Sequence, residues 1–198
     1  MSKKPGPNKE NLEATRRIFL DIAKKEFSTK GYYTTSTADI VTASGMARGS
    51  LYYHFGDKKG LFKAVYEELM ITLLDYVQKV IAPIKDPWEA YITACTTFYD
   101  LSMNSQTRRV VIDVHTAITY RERIEILEKT LLKLLEDLIV NAQAVGHFKG
   151  QKVSAVRLLI FGIISETTRG LEIADDVQVA RDEIVEALKL LMEGSRAK

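Results

Sequence analysis

The sequence predicts an all-α fold. An N-terminal three-helix head carrying a helix-turn-helix (residues 1–56) precedes a helical bundle (residues 57–198), about nine helices in all. Three observations predict it. The stretch Thr35–Leu61 holds two short helical segments around Ser44-Gly45, the arrangement whose second helix fits the DNA major groove. Elsewhere apolar residues recur at steps of three and four, with only four prolines and few alternating β-branched runs. Charge is divided unevenly: residues 1–66 carry 12 Lys and Arg against 6 Asp and Glu, net +6, and residues 67–198 carry 16 against 20, net −4. A basic head on an acidic body is the asymmetry expected where one end meets a polyanion.

Composition sets the outer bounds. Of 198 residues 46% are hydrophobic and 27% charged, enough apolar mass for a core and against wholesale disorder. One cysteine, Cys95, excludes an internal disulfide framework and fits a reducing compartment. No apolar run follows the basic amino end as a secretory signal requires, and the longest uncharged run, Leu138 to Phe148, is far too short to span a bilayer. A cytoplasmic protein with no membrane partner is expected.

In chain order, Ser2 to Asn8 reads as a flexible basic arm. From Glu10 to Thr29, Ile18, Phe19, Ile22, Ala23 and Phe27 make one amphipathic helix that ends at Gly31 and backs the helix-turn-helix. Phe27, Ile40, Leu51 and Phe55 are its expected core. Ser36 and Asp39 fit a reciprocal helix cap, and Gly45 permits the left-handed turn between the two short helices. Asp57 caps a long helix reaching about Ile81, whose amino end brings Lys58 where backbone N–H groups already favour phosphate. Asp86-Pro87-Trp88-Glu89 starts the next helix, with Trp88, Tyr91, Cys95 and Phe98 on one face that could line an apolar cavity. A short helix over Ser105–Val114 follows, and then a single long one from Tyr120 to Val145, closed by Gly146. Two helices end the chain. The first, about Gln151 to Ala174, is apolar on nearly every face and expected to be buried on all sides; the second runs from about Val177 to Glu193. Together they suggest a surface that pairs with a second copy of the chain, through Val156, Ile160, Ile163, Ile184, Leu188 and Leu191.

Phe27, Lys30-Gly31-Tyr32, Thr35-Ser36, Asp39-Ile40, Ala43, Gly45, Gly49, Leu51-Tyr52, Phe55, Lys58 and Leu61-Phe62 together resemble the pattern of the tetracycline-repressor (TetR) family of bacterial transcription regulators. The departures are Val41, Met46-Ala47 and Gly60; Ala47 lacks the serine hydroxyl common there. The resemblance implies a homodimer that binds a palindromic double-stranded DNA operator. Each subunit would insert the helix Ala47–His54 into a major groove about one turn (~34 Å) from its twin. Arg48 is the candidate for a guanine edge. Ser50 and Tyr53 would meet bases or phosphates, Thr35, Ser36, Thr37, Tyr52, His54 and Lys58 would hold the backbone, and Ala47 and Gly49 complete the inserted face.

A small, largely apolar effector is expected in the bundle, with Tyr91, Cys95, Phe98, His115, Ile118 and Phe161 as candidate contacts. Transcriptional activation, or an architectural DNA-binding bundle without effector, is the alternative. Catalysis would rest only on the sequence neighbours Asp113 and His115. His54, His115 and His147 lie too far apart for a metal motif, and no phosphate loop or nucleophile elbow occurs. No enzyme activity, cofactor or metal is therefore expected.

Overall fold

The computed structural model describes residues 9–194 and 196. The expected basic arm, Ser2 to Asn8, lies outside the described residues. Helices α1 (Lys9–Lys30), α2 (Thr37–Ser44) and α3 (Arg48–Phe55) form the head. α4 (Lys58–Ile81) leads into the bundle of α5 (Pro87–Met103), α6 (Ser105–Ala117), α7 (Tyr120–Glu128), α8 (Leu131–Ala144), α9 (Val153–Gly170) and α10 (Val177–Glu193). No strand occurs among the described residues.

The short helices hold their ends with local chemistry. Ser36 Oγ accepts from the Asp39 N–H at 3.0 Å, half of the expected reciprocal cap. Gly45 sits at φ 63°, left-handed, and its N–H reaches the Thr42 carbonyl, so the chain reverses within one residue. Asp57 and Asp86 cap α4 and α5 as expected, accepting from Gly60 N–H at 2.6 Å and Glu89 N–H at 2.7 Å. Gly146, at φ 100°, closes α8 with paired bonds: its N–H reaches the Gln143 carbonyl and that of His147 the Ala142 carbonyl.

Two apolar cores share the molecule. The first joins the head to the bundle: Phe19, Phe27, Ile40 and Leu51 pack with Leu61, Phe62 and Tyr66 of α4 and with Val110 and Val114 of α6. Phe27 meets Phe62 edge-on at 5.2 Å. The second fills the far end, where Trp88 and Tyr91 of α5, Leu138 and Ile139 of α8, Val156 and Ile160 of α9 and Leu188 of α10 meet. The Gly56 turn does not interrupt the first of these cores, which runs from the head into α4 and α6.

Three expectations are corrected. The helix expected over 120–145 is two, which makes ten α-helices among the described residues where about nine are expected. Its break is at Thr130, where the buried hydroxyl bonds back to the Ile126 carbonyl at 3.1 Å and the N–H to the Leu127 carbonyl at 3.0 Å. Those bonds satisfy the last carbonyls of α7 and free the chain to turn. Nor is α9 buried on all sides. Val156, Ile160 and Ile164, four residues apart, face the core, while Leu158 and Leu159 are 62% and 66% exposed on the opposite face. The residues expected at a dimer contact are mostly committed within the chain for the same reason. Val156, Ile160 and Leu188 are spent inside the chain, Ile163 and Ile184 pack half-buried on the same core, and only Leu191 of the six is exposed. The large apolar residues that α9 and α10 leave exposed are Leu158 and Leu159 of α9 and Val179, Leu190 and Leu191 of α10.

Candidate nucleic-acid interface and the cavity behind it

α3 turns one residue, Leu51, fully inward and is held against α1 by the edge contact of Phe55 with Phe19. Its other positions face out. Arg48, Gly49, Tyr52 and Tyr53 are exposed, Ser50 and His54 half-exposed. The Arg48 guanidinium lies over the Tyr52 ring at 5.4 Å and donates to its hydroxyl at 3.2 Å, one helical turn away. That contact, first among the causes, holds the Tyr52 phenol below its ordinary pKa. Ala47 caps α3 without a side-chain hydrogen bond, so the missing hydroxyl is a real departure.

Around α3 the other predicted contacts divide. Ser36 is exposed and Thr37 half-exposed at the start of α2. Thr35 is corrected: it is 1% exposed and gives its hydroxyl to the Gly31 carbonyl at 2.8 Å, so it braces the α1–α2 turn and offers no side chain to DNA. Lys58 is half-buried, with its ammonium 4.5 Å over the Tyr32 ring and 3.3 Å from the Tyr33 carbonyl. Desolvation there pulls its pKa below the usual lysine value. It fastens α4 to the turn while standing beside the exposed face.

Behind the head a cavity of about 90 Å³ lies among α4 to α9. Of the expected ligand contacts Cys95, Phe98, His115 and Phe161 line it. Tyr91 and Ile118 do not: Tyr91 is packed between Trp88 and Phe148, and Ile118 belongs to the core shared with the head. Leucines of α7 and α8 make much of the remaining wall, and beside Cys95 the groups there with polar atoms are Tyr66, His115, Arg123, Ser165 and Thr168. His115 contacts the Arg123 Nη1 at 3.0 Å. Burial, then the charge of Arg123, lowers its pKa to about 4, so the imidazole is neutral at neutral pH.

Asp113, the neighbour of His115 in sequence, points the other way. Its Oδ2 accepts the Tyr32 N–H at 2.6 Å, and Arg109 Nε pairs with it at 3.3 Å. Tyr33 Oη donates to the Thr116 carbonyl at 3.2 Å. The two groups weighed as an acid–base pair therefore serve different sides of α6, one the head and one the cavity. No group of three or more metal-ligating side chains occurs among the described residues, and no helix there is long and apolar enough to cross a membrane.

Sequence reasoning missed Arg123 and the Asp113 strut. A signal for Arg123 existed, since it shares a helix face with Ile126, Leu127 and Thr130, all buried. No pattern in one sequence joins Asp113 to Tyr32.

Residues 19–65 match the family model of bacterial regulatory proteins of the tetR family, and residues 88–195 match a tetracyclin repressor-like C-terminal domain. The chain belongs to the TetR family. Among curated relatives, the HTH-type transcriptional regulator AcrR of Shigella flexneri is 41% identical over 59 residues, 30% of this chain and only 27% of AcrR. A TetR-family transcriptional regulator from Pectobacterium atrosepticum superposes over 97% of this chain and 99% of its own, with TM-score 0.83 and 27% identity. The fold also matches FadR from Bacillus subtilis in complex with stearoyl-CoA, at TM-score 0.71 and 20% identity, over 87% of this chain and 96% of that one. Within this TetR-family chain the two matched segments correspond to the exposed α3 face and to the bundle that surrounds most of the cavity.

Proposed function

We propose that the chain is a ligand-responsive transcriptional repressor of the cytoplasm, acting as a homodimer on a palindromic operator and released when a small, largely apolar effector enters the bundle. In this reading residues 1–56 bind DNA and residues 57–198 bind the effector and the second subunit. The observation that carries it is α6. One face of that helix gives Val111, Val114 and His115 to the cavity, and the other holds the head through Asp113 and Thr116.

Size supplies the switch. A cavity of about 90 Å³ is smaller than the ~150 Å³ space that takes up benzene, so a larger ligand enters only by parting its walls. α6 is one of those walls, and the head moves with it. The effector then favours the displaced state by its difference in affinity for the two, a coupling of typically ~1–3 kcal/mol, or roughly 5–150-fold in operator affinity. FadR of Bacillus subtilis, which shares the fold, forms a complex with stearoyl-CoA, a ligand with a long acyl chain.

On the DNA side, Arg48 reads a guanine, Ser50 and Tyr53 meet bases or phosphates, and Ser36, Thr37, Tyr52, His54 and Lys58 hold the backbone. The second subunit docks on the α9–α10 face bearing Leu158, Leu159, Leu190 and Leu191, where Gly162 leaves open space for a close approach. Selection of random duplex DNA on the purified protein at near-physiological salt tests the reading. Enrichment of an inverted repeat with half-sites about one helical turn apart is expected. Salt-sensitive binding without sequence preference would overturn it.

A further inference from the structure

Arg123 is a buried cation without an anion. It is 8% exposed, and no Asp or Glu oxygen lies within 4.0 Å of it among the described residues. Its neighbours in sequence are paired elsewhere, Glu122 with Lys59 and Lys63 and Glu125 with Arg121, and Glu166, next to Ser165, pairs with Arg169. Arg123 Nη1 meets the His115 ring and, at 3.2 Å, Ser165 Oγ, while Tyr120 and Phe161 present their ring faces at 5.4 and 5.5 Å. Nε and Nη2 make no hydrogen bond among the described residues. A guanidinium offers five donors in a planar fork, so most of its capacity is unused.

A second group points to the same place. Thr168, one helical turn beyond Ser165 on α9, is 2% exposed, and its Oγ1 has no partner. Arg123, Ser165 and Thr168 all line the cavity, whose other walls are largely apolar. A largely buried cation with no anion beside it and an unpaired buried hydroxyl are each unfavourable to a fold, and an anion bound at the cavity wall would answer both.

We infer that the cavity takes an organic carboxylate with an apolar body, its carboxylate on the Arg123 fork and the Ser165 and Thr168 hydroxyls, its hydrocarbon against the leucine wall. The inference rests on the reading of this cavity as the effector site. Charge favours a carboxylate over a phosphate. Among the described residues Arg123 is the one cationic side chain lining the cavity, and a phosphomonoester near −2 would bury a second, uncompensated charge.

Calorimetric titration of the full-length protein with octanoate, 1-octanol, octyl phosphate and octanoyl-CoA tests it. Octanoate is expected to bind at least tenfold tighter than octanol. Arg123→Gln should abolish that preference while leaving octanol affinity unchanged. Ser165→Ala keeps the cation, so it serves if Arg123→Gln fails to fold; it should weaken octanoate several-fold and octanol not at all. Without ligand, Arg123→Met should melt no lower than wild type, because an unpaired buried charge has been removed. Equal affinity for octanoate and octanol, or tighter binding of the phosphate or the thioester, would overturn the carboxylate assignment. So would an Arg123→Met protein that melts lower yet is still stabilised by octanoate. Failure of the parent reading looks different. Octanoate that binds through Arg123 but leaves operator affinity unchanged would sustain the carboxylate site and refute the switch. Octanol that matches octanoate and releases DNA would do the reverse.

Discussion

Replacing Asp113 by Ala would cut the strut between head and bundle. The carboxylate is 7% exposed and accepts the Tyr32 backbone N–H at 2.6 Å, while Arg109 pairs with it from one turn earlier on α6. A hydrogen bond to a charged group contributes about 1.5–3 kcal/mol, and here its loss also strands a partly buried N–H. The Arg109 pair adds little, because Arg109 is half exposed. We take about 2 kcal/mol for the change. In a domain of this length each kcal/mol moves the melting temperature by roughly 2–4 °C, so thermal unfolding followed by circular dichroism should show a fall of about 4–8 °C. Asp113→Asn keeps an acceptor oxygen without the charge and should lose about half as much. The same variants, titrated with the selected operator, should show weaker response to effector, since the head would no longer follow α6. A melting temperature within 1 °C of wild type for Asp113→Ala would refute the reasoning; so would an unchanged effector response.

Three further outcomes are expected. Arg48→Ala should lose ~1–3 kcal/mol on the selected operator and much less on scrambled duplex, measured by fluorescence anisotropy; equal losses on both would remove Arg48 from base reading. Gly60→Ala would set a Cβ 1.9 Å from the Phe55 carbonyl oxygen, a backbone atom that cannot rotate away. The α3–α4 corner must open, with a loss of about 1–3 kcal/mol read from the melting temperature, whereas an unchanged melt would show that the corner has slack. For His115 the folded pKa of about 4 lies below the ordinary 6.5, through burial and Arg123, with Arg169 opposing and Glu166 favouring protonation. Between those values the unfolded chain binds the proton and the folded chain does not. His115 should therefore contribute a fall in stability as pH drops from about 6.5 to about 4, flat on either side. Denaturant titrations of wild type and His115→Gln should differ in slope across that window; parallel curves would mean the imidazole titrates normally.

Much of this molecule was legible in the sequence because its local chemistry is strict. The turn at Gly45 needs a left-handed residue, and Asp57 and Asp86 can only satisfy N–H groups three residues ahead, so spacing alone placed those helix ends. Where the outcome depended on a third dimension, the pattern was silent. Thr35 and Ser36 look alike in sequence, yet one hydroxyl faces inward to Gly31 and the other outward. Thr130 keeps the apolar period across the α7–α8 break, so periodicity could not see the chain turn. The cavity is the space left among several helices, and which of Tyr91 and Phe98 borders it depends on how α5 is rotated against α8. The apolar run of α9 was visible, but not that its Leu158 side is left uncovered by its own chain.

Cys95 gives the bundle an internal clock. It is the chain's only cysteine, 3% exposed, in the cavity wall, with its thiol pushed up to about 12 by burial. Burial keeps the thiol protonated in the closed state, so a thiol reagent waits for the helices to separate. The rate of alkylation then measures how often that wall breathes, and an occupant pressed against α5 lengthens the wait. The wild-type chain thus times its own opening, without a dye or an introduced probe.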